Sequence, residues 1–97
     1  MNIKDLRDRM SKVDVEGKIT EVSEPRVVNL RDGGQARVAN CTIEDETDSI
    51  KLTLWNEHID MVRTGMRVKI TNGYVSSFKG EKQLNVGRYG KIEIVEE

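Results

Sequence analysis

The stretch Ser49-Ile50-Lys51-Leu52-Thr53-Leu54-Trp55 alternates without a break. In an extended strand successive side chains point to opposite faces, so Ile50, Leu52 and Leu54 share one face and Lys51, Thr53 and Trp55 the other. The aliphatic face suits a core. The second face puts a cation, a hydroxyl and the only tryptophan of the chain where solvent or a ligand would be. A large indole in line with a lysine points to a surface that stacks on something flat and anionic, and a nucleic acid is the first candidate.

Around this strand, 97 residues allow a single domain, residues 1–97, with a modest core. A hydrophobic content of 36% against 34% charged residues describes a soluble globular chain with a busy surface. No apolar run approaches a membrane span and no signal-peptide core follows Met1, so the expected location is cytoplasmic, with no membrane partner. Cys41 is the only cysteine, which excludes an intramolecular disulfide and a multi-cysteine metal site; in its apolar run it reads as a buried structural thiol. The chain has no P-loop, no metal-ligand pair and no triad order, which argues against an enzyme and leaves no cofactor to expect. The net charge of −1 carries no global basic signature, but the acids gather at Glu44-Asp45-Glu46, Asp48, Glu96 and Glu97, away from the aromatics. Those aromatics are four, Trp55, Tyr74, Phe78 and Tyr89, and none is needed to fill a core of Val, Ile, Leu and Met.

Taken in order, Ile3, Leu6, Met10 and Val13 fall at helical spacing, predicting an amphipathic helix over 2–13, capped by Asn2, that plugs the open end of the core. A strand from Val13 to Val22 follows, with a bulge or bend at Gly17. Glu24-Pro25 ends it and opens a loop that carries Arg26 and Arg31 and turns at Asp32-Gly33-Gly34. Gln35 to Glu44 is a second strand with Ala39, Cys41 and Ile43 inward. The acidic run Glu44–Asp48 reads as a solvated hairpin turn whose spacing matches no calcium loop. After the Trp55 strand, Asn56 is placed to cap a short helix over 57–62, with Ile59 and Val62 inward and His58 on the surface. The fourth strand, Met66 to Ser77, has Val68 and Ile70 inward. A bulge at Gly73 would turn Val75 in and Tyr74 out; without it Tyr74 joins the core face. Ser76 to Glu81 reads as a hairpin loop with Phe78 near its tip. Lys82 to Val86 is the fifth strand, with Leu84 and Val86 inward, and Ile92 and Ile94 close the chain as a last extension. The order predicts an all-β fold with small helices added. It is a five-stranded Greek-key OB-fold barrel with an N-terminal helix and a short helix between the third and fourth strands. An SH3-like barrel is the alternative, though it usually lacks that helix.

Ser23-Glu24-Pro25-Arg26, Asp45-Glu46-Thr47, Ile50 to Trp55, Gly73-Tyr74, Phe78-Lys79-Gly80 and Gln83-Leu84-Asn85 follow one another in an order that resembles the short single-stranded-DNA-binding proteins of archaea. It also resembles the DNA-binding OB domains of replication protein A. The resemblance runs from about Val13 to Ile94. It implies that Trp55 is the stacking aromatic of the third strand, Tyr74 an aromatic of the fourth strand, and Phe78 one of the following loop. It implies further that Lys51 is the cation beside the tryptophan, and that Arg26, Arg37 and Lys79 stand where the family contacts phosphates or bases. There are departures. The replication protein A domains carry a second stacking aromatic where Leu84 stands, the human relatives of the short proteins carry one at Asn85, and the usual glycine of the acidic hairpin is Asp48. The short archaeal proteins also extend into a partner-recruiting tail, so this chain reads as one domain cut from, or paired with, a larger assembly.

Independently of the resemblance, single-strand binding needs aromatic faces for bases and cations along the backbone. Trp55, Tyr74 and Phe78 can supply the first, and Lys51, Arg26, Arg31, Arg37, Lys79, Lys82 and Arg88 the second. The expected function is binding of single-stranded DNA with little sequence specificity, protecting it in replication, repair or recombination, with other replication or repair proteins as further partners. Two alternatives stay open: a protein-interaction OB module whose groove takes an acidic peptide, and an RNA-binding barrel, for which a preference for RNA over DNA would speak.

Overall fold

A computed structural model describes residues 1–86 and 90–96, apart from the side chains of Phe78 and Glu96. Among the described residues the elements are a 3₁₀ turn (Ile3–Asp5), β1 (Val13–Val22), β2 (Arg26–Asn29), β3 (Gln35–Glu44), β4 (Ser49–Trp55), α1 (Glu57–Met61), β5 (Arg67–Phe78), β6 (Glu81–Asn85) and β7 (Lys91–Glu96). Strands β1, β3, β4, β6 and β5 pair in that order, and a β1–β5 pairing closes the ring. This is the expected five-stranded OB barrel, with β2 added as a hairpin on β3 and β7 added on β5. Its pairings are antiparallel except β4 with β6, which run parallel because α1 and β5 carry the chain over between them.

Closure is achieved by two long bent strands. β1 pairs with β5 through Val13–Lys18 and with β3 through Lys18–Val22, so it changes partner within one residue. Gly17 sits at that crossing. A Cβ there would come within 2.6 Å of the Glu44 carbonyl oxygen, so only glycine lets the two backbones approach. β5 bends at Asn72, whose φ of 57° is left-handed. The register advances two residues on β1 (Val13 to Val15) but three on β5 (Ile70 to Gly73), which is the expected bulge. Its consequence is the parity change: Gly73 and Val75 are buried, and Tyr74 faces out.

The core is aliphatic. Ile19, Ile43, Leu52, Leu54, Val68, Ile70 and Leu84 have no exposed surface, and each such side chain contributes about 1.5–3 kcal/mol of burial. Neither Trp55 nor Tyr74 belongs to it. The methionines lie at its margin or outside it: Met10 and Met66 pack against the cluster, whereas Met1 and Met61 are exposed.

Four sequence expectations need correction. The helix over 2–13 is only the single turn Ile3–Asp5, and Asn2 makes no capping bond. Its backbone is claimed by tertiary partners instead: Asp45 Oδ2 accepts from Ile3 N at 2.8 Å, and Thr47 Oγ1 accepts from Lys4 N at 3.2 Å. Arg9 and Met10 bond both ways with Val75 on the β5 edge that β1 has left. Ile3 and Leu6 still plug the core, without a helix. Second, the loop holding Arg26 is the strand β2, which pairs residue for residue with Gln35–Val38; only Leu30–Gly34 is a turn. Third, the hairpin after β5 is a two-residue turn, Lys79-Gly80, both left-handed as such tight hairpins require. Fourth, Asn56 does not cap α1. Its N–H donates to Arg37 O and its Oδ1 accepts from Arg37 N, so it extends the β3–β4 ladder.

Candidate nucleic-acid interface

On the outer face of the barrel the strand registers bring side chains into rows. Val38 lies opposite Trp55 on one side and Arg26 on the other, giving the row Arg26–Val38–Trp55 across β2, β3 and β4. Two residues along, about 7 Å further down the strands, Asn40, Thr53, Asn85 and Tyr74 form a second row across β3, β4, β6 and β5. A third row is Thr42–Lys51–Gln83–Ser76. A groove of about 550 Å³ runs over these rows, with Thr42 and Tyr74 outside its lining, walled by Arg26 and Trp55 at one end and by Lys79 and Glu81 at the other.

Trp55 is 37% exposed, although the adjacent Leu54 on the same strand is fully buried. β4 therefore spends its aliphatic side on the core and leaves its indole in the groove wall. Tyr74 is 43% exposed at the far end of the second row, beyond Asn85. Lys51 lies in the groove and pairs with Glu81, Nζ to Oε2 3.3 Å. Lys79, at the β5–β6 turn, and Arg26 also line it.

The remaining sequence candidates fall elsewhere. Arg37 has the parity of Ala39 and Cys41, opposite to Val38 and Trp55. It reaches α1, donating to Asp60 Oδ2 at 2.9 Å; that hydrogen bond first and the carboxylate's charge second raise its pKa above the ordinary arginine value. Lys82 turns away from the groove and donates to the Leu6 carbonyl at 2.9 Å, fastening the N-terminal segment to β6. Arg31 is exposed in the β2–β3 turn, outside the groove wall. Phe78 closes the hairpin opposite Glu81 in the backbone register, its side chain outside the described part; Arg88 lies outside the described residues altogether.

The groove floor is polar. Thr53 and Asn85 are each 7% exposed. Thr53 Oγ1 lies 3.4 Å from Asn40 Oδ1 and 3.5 Å from Gln83 Oε1, and Asn85 Nδ2 donates to Ser76 Oγ at 2.9 Å. Asn40, Gln83, Asn85 and Glu81 escaped the sequence reading of the site, although parity would have found three of them, Asn40 lying between the inward Ala39 and Cys41. Once Leu84 is inward, Gln83 and Asn85 must face out. Leu84 is wholly core, as its parity predicts, so the stacking aromatic of the replication protein A domains has no counterpart at this position. Asp48 does not have a left-handed backbone, so nothing at that turn requires the family's glycine. Instead Asp45 organises the turn, taking the N–H groups of Thr47 and Asp48 and the Thr47 hydroxyl on Oδ1. Cys41 is buried and its thiol is pushed up to about 12 by desolvation, which makes it unreactive. Among the described residues no cluster of His, Cys, Asp or Glu could hold a metal ion, and no helix is long and apolar enough to cross a membrane.

Known proteins share this fold. Residues 8–94 match the family described as single-stranded DNA binding protein Ssb-like, OB fold. The single-stranded DNA binding protein Ssb of Saccharolobus solfataricus is 37% identical over 87 residues, covering 90% of this chain and 58% of that protein, so the chain spans little more than half of its relative's length. Among solved structures, an OB domain from Thermoplasma acidophilum superposes with a TM-score of 0.85 at 29% identity, covering 98% of this chain and 85% of that one. The second OB-fold domain of replication protein A from Methanococcus maripaludis superposes at 0.83 with 24% identity, covering 100% of this chain and 95% of that one, a likeness of fold. The match over residues 8–94, on a closed barrel that exposes its only tryptophan in a groove, places the chain in the Ssb-like family of single-stranded-DNA-binding OB folds, a family of binding proteins and not of enzymes.

Proposed function

We propose that this domain binds single-stranded DNA along the β3–β4–β6 groove, with one base stacked on Trp55, a second on Tyr74, and phosphates held by Arg26, Lys51 and Lys79. The observation that carries the reading is the Arg26–Val38–Trp55 row: an indole that the core does not use, 37% exposed, on the same face as a cation and at one end of a groove. Stacking of one base on an aromatic face is worth about 1–3 kcal/mol and tolerates any base, while cations tracking the backbone add a salt-dependent part. Family membership and the single-stranded-DNA-binding relative support it. Phe78, at the base of the hairpin turn, is proposed as a third aromatic contact. Arg37 and Lys82 are assigned to the fold, since each is spent on a protein acceptor. Protection of exposed strands in replication, repair or recombination, within an assembly like that of replication protein A, is the role such binding serves.

Tryptophan fluorescence during titration with short oligo-dT at two salt concentrations tests the reading, because the chain has one tryptophan and the signal one source. Saturable quenching that weakens with salt is expected. An unchanged signal at low salt would overturn it and bring forward an acidic peptide as the ligand; tighter binding of RNA of equal sequence would make RNA the ligand instead.

A further inference from the structure

The second row places a carboxamide in the groove whose orientation is fixed. Asn85 Nδ2 lies 2.9 Å from Ser76 Oγ, 3.4 Å from Gln83 O and 3.5 Å from Tyr74 O, three acceptors on one side of the amide. Turning the amide over would set its carbonyl against two backbone carbonyls, so the nitrogen stays where it is and Oδ1 is the end left for the groove. Among the described residues none donates to that oxygen. Beside it, the single proton of Thr53 Oγ1 stands between Asn40 Oδ1 and Gln83 Oε1 and can go to only one of them at a time. Asn40 and Gln83 each bring a donor as well as an acceptor, so Asn85 Oδ1 is the floor acceptor whose orientation the surrounding bonds fix.

Resting on the single-strand reading above, we infer that Asn85 makes the groove selective, favouring bases with an exocyclic amino group over thymine and uracil. A base stacked on an aromatic wall turns an edge to the floor. Cytosine, adenine and guanine can offer an amino group to Asn85 Oδ1. Thymine carries a carbonyl where cytosine has its amino group, and its one ring N–H is flanked by two carbonyls, so it sets a carbonyl against or close to Asn85 Oδ1. A buried acceptor left unmatched is penalised, so the preference arises from the cost of the wrong base as much as from the bond to the right one. Stacking alone would leave the site indifferent to sequence.

The test compares oligomers of one length, a thymine background carrying central cytosine, thymine or 2-pyrimidinone, the last lacking only the 4-amino group of cytosine. Binding is read by Trp55 fluorescence. Cytosine should bind roughly two- to tenfold more tightly than either of the others, the range of one net hydrogen bond, and Asn85→Leu should bring the ratio close to one. Equal affinity for cytosine and 2-pyrimidinone in the unaltered protein would overturn the inference without depending on any variant. A ratio that persists in Asn85→Leu with a native circular dichroism spectrum would also overturn it. Absence of binding by all three would sink the single-strand reading itself, and this inference with it, whereas equal binding sinks only this one.

Discussion

Lys51 Nζ and Glu81 Oε2 lie 3.3 Å apart across β4 and β6, inside the groove proposed for an anionic ligand. The pair is exposed on both sides, so its worth to the fold is small, between nothing and about 1 kcal/mol. Its effect on binding is larger in kind. A phosphate that takes Lys51 must displace a carboxylate that then stays beside it. Glu81→Gln should therefore tighten oligo-dT binding by roughly two- to fivefold at low salt, the gain shrinking as salt screens the carboxylate. Isothermal titration at two salt concentrations reads this directly. Weaker binding of the variant would show that Glu81 positions Lys51 instead of competing for it.

Trp55→Ala should cost about 1–3 kcal/mol of binding free energy while leaving the thermal midpoint nearly unchanged, because Leu54 and not Trp55 faces the core. Tyr74→Ala should fall in the same range. Fluorescence anisotropy of a labelled oligomer measures the first quantity and a melting curve the second; a large drop in midpoint would mean that the indole supports the fold.

Two arginines that neighbour one another across the β2–β3 hairpin should separate cleanly. Arg26→Ala should flatten the log–log salt dependence of binding by roughly 0.7, the value of one single-strand phosphate contact. Arg37, on the opposite face and bound to Asp60, should leave that slope unaltered when replaced by alanine. A change of slope in Arg37→Ala would require the strand to wrap around to the α1 side.

Asp45 ties the acidic hairpin to the N-terminal segment. Burial works against its charge. The bonds from the Thr47 hydroxyl and from the N–H groups of Ile3, Thr47 and Asp48 outweigh that and lower its pKa from an ordinary 3.8 to about 2. A folded-state pKa below the unfolded one gives stability that is present above about pH 4 and lost as the pH falls towards 2. Replacing Asp45 with asparagine should lower the midpoint at neutral pH and remove part of the acid-induced decline over that interval. Equal steepness in both proteins would place the titrating group elsewhere.

The five barrel strands were legible because period-two alternation needs only local information, whereas the short β2 was read as loop. The spans Gln35–Glu44 and Ser49–Trp55 agree with the structure to the residue, and the parity change at Gly73 was visible as an alternative that the bulge at Asn72 then decided. The N-terminal helix was misread for the same reason. Ile3, Leu6, Met10 and Val13 are spaced as a helix would space them, and three of the four are buried. Hydrophobic spacing, however, records which residues meet the core and not which partner takes the backbone. Here Asp45, Thr47 and Val75 take it.

By itself, the sequence determined the aliphatic interior, the succession of the five barrel strands along the chain and the outward face of Trp55, all of which follow from side-chain polarity and its repeat along the chain. Only the tertiary structure decided which cations belong to the site. Arg26 and Arg37 are both basic and both on strands, yet β-pairing sets one on the face of Trp55, across Val38, and turns the other towards Asp60. It also assembled the amide floor from Asn40, Gln83 and Asn85, residues separated by up to 45 positions and joined by the parallel pairing of β4 with β6. Charge is a property of a residue, but its direction comes from register, and register is fixed by partners far away along the chain.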